Sequence, residues 1–295
     1  MEVWTAVATL GGLTLVLASL LALADAKLRV VDDPRVETVE SLLPHTNCGA
    51  CGYPGCHAFA EALVAGATQP ALCTVSSAAG RNRIAAFLGV EVGTAIDRVA
   101  RLACAGGRNV ARARARYTGP SSCAAASQVA GGGKGCFWGC LGLADCAEVC
   151  DFDALHMDRH GLPVVDEDRC TACGDCVEAC PKDLFSLEPR EHRLWVACRS
   201  LQAGDSVLDD CQVGCTACGR CAADAPQVVQ MEGGLPIVDG DTLASLGNRA
   251  EATARQAIHR CPTGAIVWLA PEGAAIKGPT AHKILRHGDR PAGAT

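Results

Sequence analysis

Residues 3–24, VWTAVATLGGLTLVLASLLALA, run for 22 positions without a charged side chain, enough for one helix to cross the hydrocarbon core of a bilayer. A cleaved signal peptide is the competing reading, because ALADA resembles a small-residue cleavage site. The chain opens Met1-Glu2 with no basic stretch, and its apolar run is longer than a usual signal core. A retained single-pass anchor is therefore expected. Lys27 and Arg29 follow the run and Glu2 precedes it, which puts the bulk of the chain on the cytoplasmic side of the cytoplasmic membrane.

Residues 31–47 set charges around Val36, Val39, Leu42 and Leu43, a spacing for one short amphipathic helix that Pro44 should end. After Cys56, HAFAEALVAGA reads as a second helix, and IAAFLGV as a third. ARARARY reads as a solvated helix face. GGGKG at 131–135 lacks the G-x4-GK[ST] pattern of a phosphate loop and reads as a hinge. ALHMDRHGLPVVD has a turn at His160-Gly161 between apolar flanks, which predicts a hairpin. LFSLEPREHRLWVAC predicts a second hairpin, with Trp195 in a packing role. Beyond Trp268 the Gly-, Ala- and Pro-rich tail has no pattern and is expected to be mobile.

Composition changes this picture. Aromatic residues make up only 4 % of the chain, while 20 of its 295 residues are cysteine. With large apolar side chains scarce, bound cofactors are expected to hold the soluble part together. Disulfides would explain cysteine abundance in a secreted protein, but here the cysteines fall into ligand-like triplets and quartets. That favours reduced thiolates in a reducing compartment. A net charge of −6 argues against a nucleic-acid partner, which selects a basic face.

The densest stretch holds two four-cysteine runs. Cys170-x2-Cys173-x2-Cys176-x3-Cys180-Pro181 has the bacterial ferredoxin spacing for a [4Fe–4S] cluster, and Cys136-x3-Cys140-x5-Cys146-x3-Cys150 is a stretched version. Three thiolates on a tight loop can meet three corners of one cubane, and the fourth corner needs a ligand from elsewhere. In two-cluster ferredoxins that ligand is the last cysteine of the partner run. The expected sets are Cys136, Cys140, Cys146 with Cys180, and Cys170, Cys173, Cys176 with Cys150. Structural zinc is the alternative, but it uses well-separated cysteine pairs.

Upstream, Cys48, Cys51 and Cys56 lie on a glycine-rich loop and Cys73 follows at a distance, another three-plus-one set, with a zinc knuckle as the alternative. Downstream, residues 211–264 form a damaged copy of the ferredoxin repeat. Cys215, Cys218 and Cys221 keep their triplet, but Ala225-Pro226 replaces the closing cysteine. The partner copy keeps only Cys261-Pro262, with Glu251, Ala254 and Ala257 at its first three positions. The losses are complementary and leave one site, Cys215, Cys218, Cys221 and Cys261. Cys211-x3-Cys215-x2-Cys218 also matches radical SAM spacing, but too few residues follow for the barrel such enzymes need. Cys104, Cys123, Cys198 and Cys211 remain. They make a fifth cluster if the fold gathers them, and otherwise act as small core residues.

VDDPRVETVESLLP, NCGACGYPGC and Cys73, behind an anchor and ahead of a two-cluster segment, resemble the B subunit of the Rnf (Rsx) electron transport complex, in its long form. The resemblance covers residues 1–190. It implies an electron-transfer protein with other membrane subunits and soluble ferredoxin as partners, linking ferredoxin and NAD to Na+ or H+ translocation. Reduction of a redox-sensing regulator, service to another oxidoreductase and a zinc-stabilised scaffold are the other roles weighed. No independent active site is expected. Backbone amides near Cys48, Cys173 and Cys218 are the expected tuning donors.

The expected fold class is α+β. Its parts are a transmembrane anchor (1–26), a small helical cluster domain (27–80) and a linker or helical segment (81–133). A two-cluster ferredoxin domain of ββα-type repeats (134–190), a degenerate one-cluster repeat (191–270) and a flexible tail (271–295) follow.

Overall fold

A computed structural model describes residues 2–28, 33–270 and 275–281. These form two compact units. One joins the chain up to Asn47 with Tyr53–Pro70 and Ser76–Val92, and the other joins Cys48–Gly52 and Ala71–Val75 with the chain from Gly93 onward.

In the first unit, helix α1 (Glu2–Leu28) is continuous. From Val7 to Lys27 it is long and apolar enough to cross a membrane, and none of this span is buried against protein. Helix α2 (Pro34–Leu42) begins where the amphipathic pattern predicts. The Asp33 carboxylate accepts from the Arg35 amide, and Pro34 takes the first helical position. Val36, Val39 and Leu43 are buried, and α2 packs on α3 (Cys56–Val64), which buries Phe59, Ala60 and Leu63. Helix α4 (Ala78–Leu88) starts on the Ser77 hydroxyl and stops at Gly89 in the left-handed region.

In the second unit the order strand, helix, hairpin, helix, strand occurs twice, in place of the ββα repeat implied by the cysteine runs. The first module has β1 (Arg98–Leu102), α5 (Cys123–Ser127) and α6 (Asp145–Glu148). Its hairpin is β2 (Leu155–Met157) with β3 (Pro163–Val165), followed by α7 (Asp175–Glu178) and β4 (Phe185–Pro189). The second has β5 (Leu194–Val196), α8 (Ser206–Asp210), α9 (Arg220–Asp224), and the hairpin β6 (Val229–Glu232) with β7 (Leu235–Val238). It ends in α10 (Gly240–Ser245), α11 (Ala250–His259) and β8 (Ile266–Trp268).

The hairpin turning at His160-Gly161 forms, with Leu155 opposite Val165. The second predicted hairpin does not. Strand β4 pairs antiparallel with β1, Arg98 opposite Pro189 and Leu102 opposite Phe185, and β5 pairs with β8, Leu194 opposite Trp268. The apolar side chains of the two strands belong to different cores. Phe185 and Leu187 pack with Ala100 and Leu155 among the first module's cysteines. Leu194 packs with Val228, Val229, Ile258 and Ile266 in the second module. Trp195 bridges them, its indole N–H donating to the Leu102 carbonyl at 2.8 Å.

Three further expectations change. ARARARY is not helical: Ala111 bridges to Cys211 and Ala113 to Lys134 as extended chain, in keeping with its period-two alternation. GGGKG is a packed turn, not a hinge. Gly133 has φ +78°, and a Cβ there would stand 2.3 Å from the Ala115 carbonyl oxygen. Of the tail, residues 275–281 fold back onto the second module: Ile276 bridges to Trp268, and the Thr280 hydroxyl donates to the carbonyls of His259 and Cys261. Residues 271–274 and 282–295 lie outside the described residues.

The damaged repeat has a packing explanation. Ala225, Ala254 and Ala257, all at positions where an intact repeat carries cysteine, are fully buried together in the apolar core. Helix α11 has 10 residues where α6 and α7 have 4, and it buries Ala254, Ala257 and Ile258 in that core. Ala257→Leu is expected to overpack this core and destabilise the second module by about 1–3 kcal/mol, read as a lower unfolding midpoint. An unchanged midpoint would show that room remains there.

Candidate metal centres

Among the described residues, three small cavities are walled by cysteines. One gathers Cys150, Cys170, Cys173 and Cys176 between Leu155, Val165 and Leu187. A second gathers Cys215, Cys218, Cys221 and Cys261 beside Met231 and Ile266. In both, a local triplet meets a distant fourth thiol, the grouping that the crossover rule and the complementary losses imply.

The third cavity brings Cys136 to Cys104, Cys198 and Cys211. It does not bring Cys136 to Cys140, Cys146 and Cys180, as the run spacing led us to expect. That place is taken by Cys123: it lies in electrostatic reach of Cys180 and Cys140, and Cys146 senses Cys123, Cys140 and Cys180. The two expected sets therefore exchange one member each.

Two local devices cause the exchange. Asp145, at the start of α6, accepts from the Ser122 hydroxyl (2.9 Å), the Cys123 amide (2.6 Å) and the Ala124 amide (3.0 Å). This fastens α5, and Cys123 with it, against the Cys146 loop. Burial opposes its charge, but those amides and the hydroxyl outweigh burial and hold the Asp145 carboxyl below the usual carboxylate range. The second device is the extended strap at 111–114. The Arg112 amide donates to the Asp210 carbonyl and the Gly135 amide to the Arg112 carbonyl, both at 2.8 Å, so the strap ties the Cys136 segment to the Cys211 segment. Cys136-x3-Cys140 recurs as Cys211-x3-Cys215, and that repeat was the signal available in the sequence.

The loops have the shape of a cradle. Ala172 and Ala217 hold matching left-handed φ values of 56° and 54° inside the two Cys-Thr-Ala-Cys loops, and Ala144 (φ 74°) does so before Cys146. Non-glycine residues in this region cost about 1–3 kcal/mol each and persist where their surroundings impose them. Here they bend the chain so that successive thiols face one centre. No three His, Cys, Asp or Glu side chains among the described residues converge tightly enough for a single ion. A local triplet closed by a distant fourth thiol is the grouping of a polynuclear cluster more than of mononuclear zinc, which uses well-separated pairs.

Burial, with neighbouring thiols adding to it, pushes Cys140, Cys146 and Cys176 up to about 12. Burial likewise pushes Cys215 up to about 12 and Cys221 to about 11. Such groups ionise at neutral pH only with a cation among them, so they suit metal ligation and not free nucleophiles.

In the N-terminal set, Cys56 opens α3 and its amide donates to the Asn47 side-chain oxygen at 2.8 Å. The Gly52 amide donates to the Gly49 carbonyl at 2.8 Å, a tight turn around Cys51. Cys56 and Cys73 are buried.

Comparison with known proteins agrees with this chemistry. The family model described as a putative Fe-S cluster matches residues 43–75, which span Cys48 to Cys73. A 4Fe-4S binding domain matches 163–185, and a 4Fe-4S single cluster domain matches 208–268. The B subunit of the Na(+)-translocating ferredoxin:NAD(+) oxidoreductase complex of Acetobacterium woodii is 41% identical over 209 residues, 71% of this chain and 63% of that protein. The B subunit of the ion-translocating oxidoreductase complex of Methanosarcina acetivorans is 35% identical over 75% of this chain and 83% of its own. Its counterpart in the proton-translocating ferredoxin:NAD(+) oxidoreductase complex of Clostridium ljungdahlii is 38% identical over 85% and 87%. The chain thus spans just under two thirds of the first relative and more than four fifths of the other two.

Asp145→Ala removes three hydrogen bonds to one short helix. Amide hydrogen exchange over 123–127 is expected to rise strongly in this variant. Exchange at the wild-type rate would show that α5 is held by something else.

Proposed function

The chain belongs to the B-subunit family of ion-translocating oxidoreductase complexes, and on that premise we propose that it is the membrane-anchored iron–sulfur subunit of such a complex. It relays electrons between ferredoxin and NAD-linked subunits, coupled to Na+ or H+ translocation. The observation that carries this reading is the gathering of thiols from distant parts of the chain around small shared cavities.

In this reading Cys48, Cys51, Cys56 and Cys73 hold one [4Fe–4S] cluster. Cys123, Cys140, Cys146 and Cys180 hold a second, Cys150, Cys170, Cys173 and Cys176 a third, and Cys215, Cys218, Cys221 and Cys261 a fourth. When bound, each cluster supplies one-electron transfer at a potential within about −700 to +450 mV. The residues around it do the rest. Backbone amides of Gly142, Asp175 and Ala217 hydrogen-bond the sulfurs of Cys140, Cys173 and Cys215, stabilising charge there and tuning potential. Apolar side chains such as Leu155, Val165 and Ile266 keep water off the cavity walls.

Helix α1 anchors the protein in the membrane, and Lys27 with Arg29 favours the cytoplasmic side for the rest. The names of the relatives support other subunits of the complex and ferredoxin as its partners. Two modules in covalent sequence suit a wire more than a substrate enzyme.

The test is anaerobic purification of the full chain with iron, sulfide and zinc quantitation, followed by mixing with reduced ferredoxin. Brown protein with iron and sulfide in equal amounts, bleached by reduced ferredoxin, is the expected result. Colourless protein with stoichiometric zinc would overturn the proposal.

A further inference from the structure

We infer that Cys104, Cys136, Cys198 and Cys211 form an additional [4Fe–4S] site at the joint between the two modules, assembled from the same two positions of each. The inference rests on reading the chain as an iron–sulfur relay, and it adds a centre that neither module contains alone.

The symmetry is visible in the chain. Cys104 stands two residues beyond the end of β1, and Cys198 two beyond the end of β5. Cys136 precedes Cys140 by four residues, as Cys211 precedes Cys215. Each module therefore offers one thiol from its first strand and one from the approach to its first ligand loop. The strands meet where the Ala105 amide donates to the Ala197 carbonyl at 3.0 Å.

The sulfurs are dressed symmetrically too. Cys104 Sγ accepts from the amides of Gly106 and Cys140, both at 3.4 Å. Cys198 Sγ accepts from the equivalent amides, Ser200 at 3.5 Å and Cys215 at 3.3 Å. The amides of Trp138 and Val213 reach Cys136 and Cys211. All four cysteines thus receive the amide two residues on, the same contact that Cys140, Cys173 and Cys215 receive in the other sets. Thiols buried by chance have no reason to share it. Amide donors of this kind favour the ligating thiolate over the thiol.

The cavity is also kept clear. A Cβ at Gly106 would lie 3.0 Å from Cys211 Sγ and 3.7 Å from Cys104 Sγ, so the chain passes the sulfurs as bare backbone. Lys134 lines the same cavity, its ammonium fixed by the carbonyls of Gly106 and Cys140 at 2.5 Å each. A cation held there offsets the negative charge of a thiolate-ligated cluster.

The position gives the site a task. The amide of Cys140, whose thiol serves the first module, touches Cys104 Sγ. The amide of Cys215, whose thiol serves the second, touches Cys198 Sγ. A few covalent bonds and one hydrogen bond thus connect the joint to each neighbour. One electron arrives from one side and leaves to the other, with no net change at the joint.

The experiment uses the full chain, loaded anaerobically, with iron counted and reduced clusters resolved by EPR. Cys136→Ala, Cys198→Ala and Cys211→Ala are each expected to lose about four irons, the content of one cubane, and one and the same signal. Cys123→Ala is expected to lose a different signal, shared with Cys180→Ala. Cys136→Ser and Cys211→Ser, which retain an oxygen donor, should alter the joint signal and leave the rest, which keeps the test decisive if an alanine variant fails to fold. Loss of the Cys180 signal in Cys136→Ala, or wild-type iron and spectra in both Cys198 and Cys211 variants, would overturn the site. Absence of iron from the wild-type chain would instead sink the relay reading itself.

Discussion

Thiols that share a small, buried cavity repel one another once ionised and are costly to ionise at all, because burial strips the thiolate of water. Burial raises Cys140, Cys146, Cys176, Cys211 and Cys215 to about 12. A metal centre resolves this conflict by supplying positive charge at the point where the sulfurs meet, and binding free energy then becomes folding free energy. The left-handed alanines at 144, 172 and 217 bear the same signature, since their loops are bent for what the thiols hold.

The two modules show what happens with and without that support. In the first, buried cysteines stand among Ala100, Leu155 and Phe185 and make up much of the core. In the second, one half has surrendered its ligands, and Ala225, Ala254, Ala257 and Ile258 close the space with apolar contact. Strand pairing β1–β4 and β5–β8 is common to both. A longer helix and small side chains thus fill that half while the frame is kept.

Duplication of that frame also produces something neither copy holds. Cys104 and Cys198 occupy equivalent strand ends, and Cys136 and Cys211 equivalent loop approaches. Packing the modules against one another faces these pairs across a joint, and the strap at 111–114 keeps the approaches together. Asp145 fastens Cys123 beside Cys146.

The apolar N-terminal helix, the hairpin at His160-Gly161, the cysteine triplets, and the complementary losses at Ala225, Glu251, Ala254 and Ala257 are legible along the chain alone. Each is a matter of a few neighbouring residues, where spacing and backbone geometry leave little choice. The pairing of β4 with β1, the exchange of Cys136 for Cys123, and the meeting of Cys104 with Cys211 were decided only by tertiary structure. A thiol at the end of a run has several partners within equal reach along the chain. Which of them it meets depends on strand pairing and on single hydrogen bonds between segments such as 111–114 and 210–212, and no local pattern records those contacts.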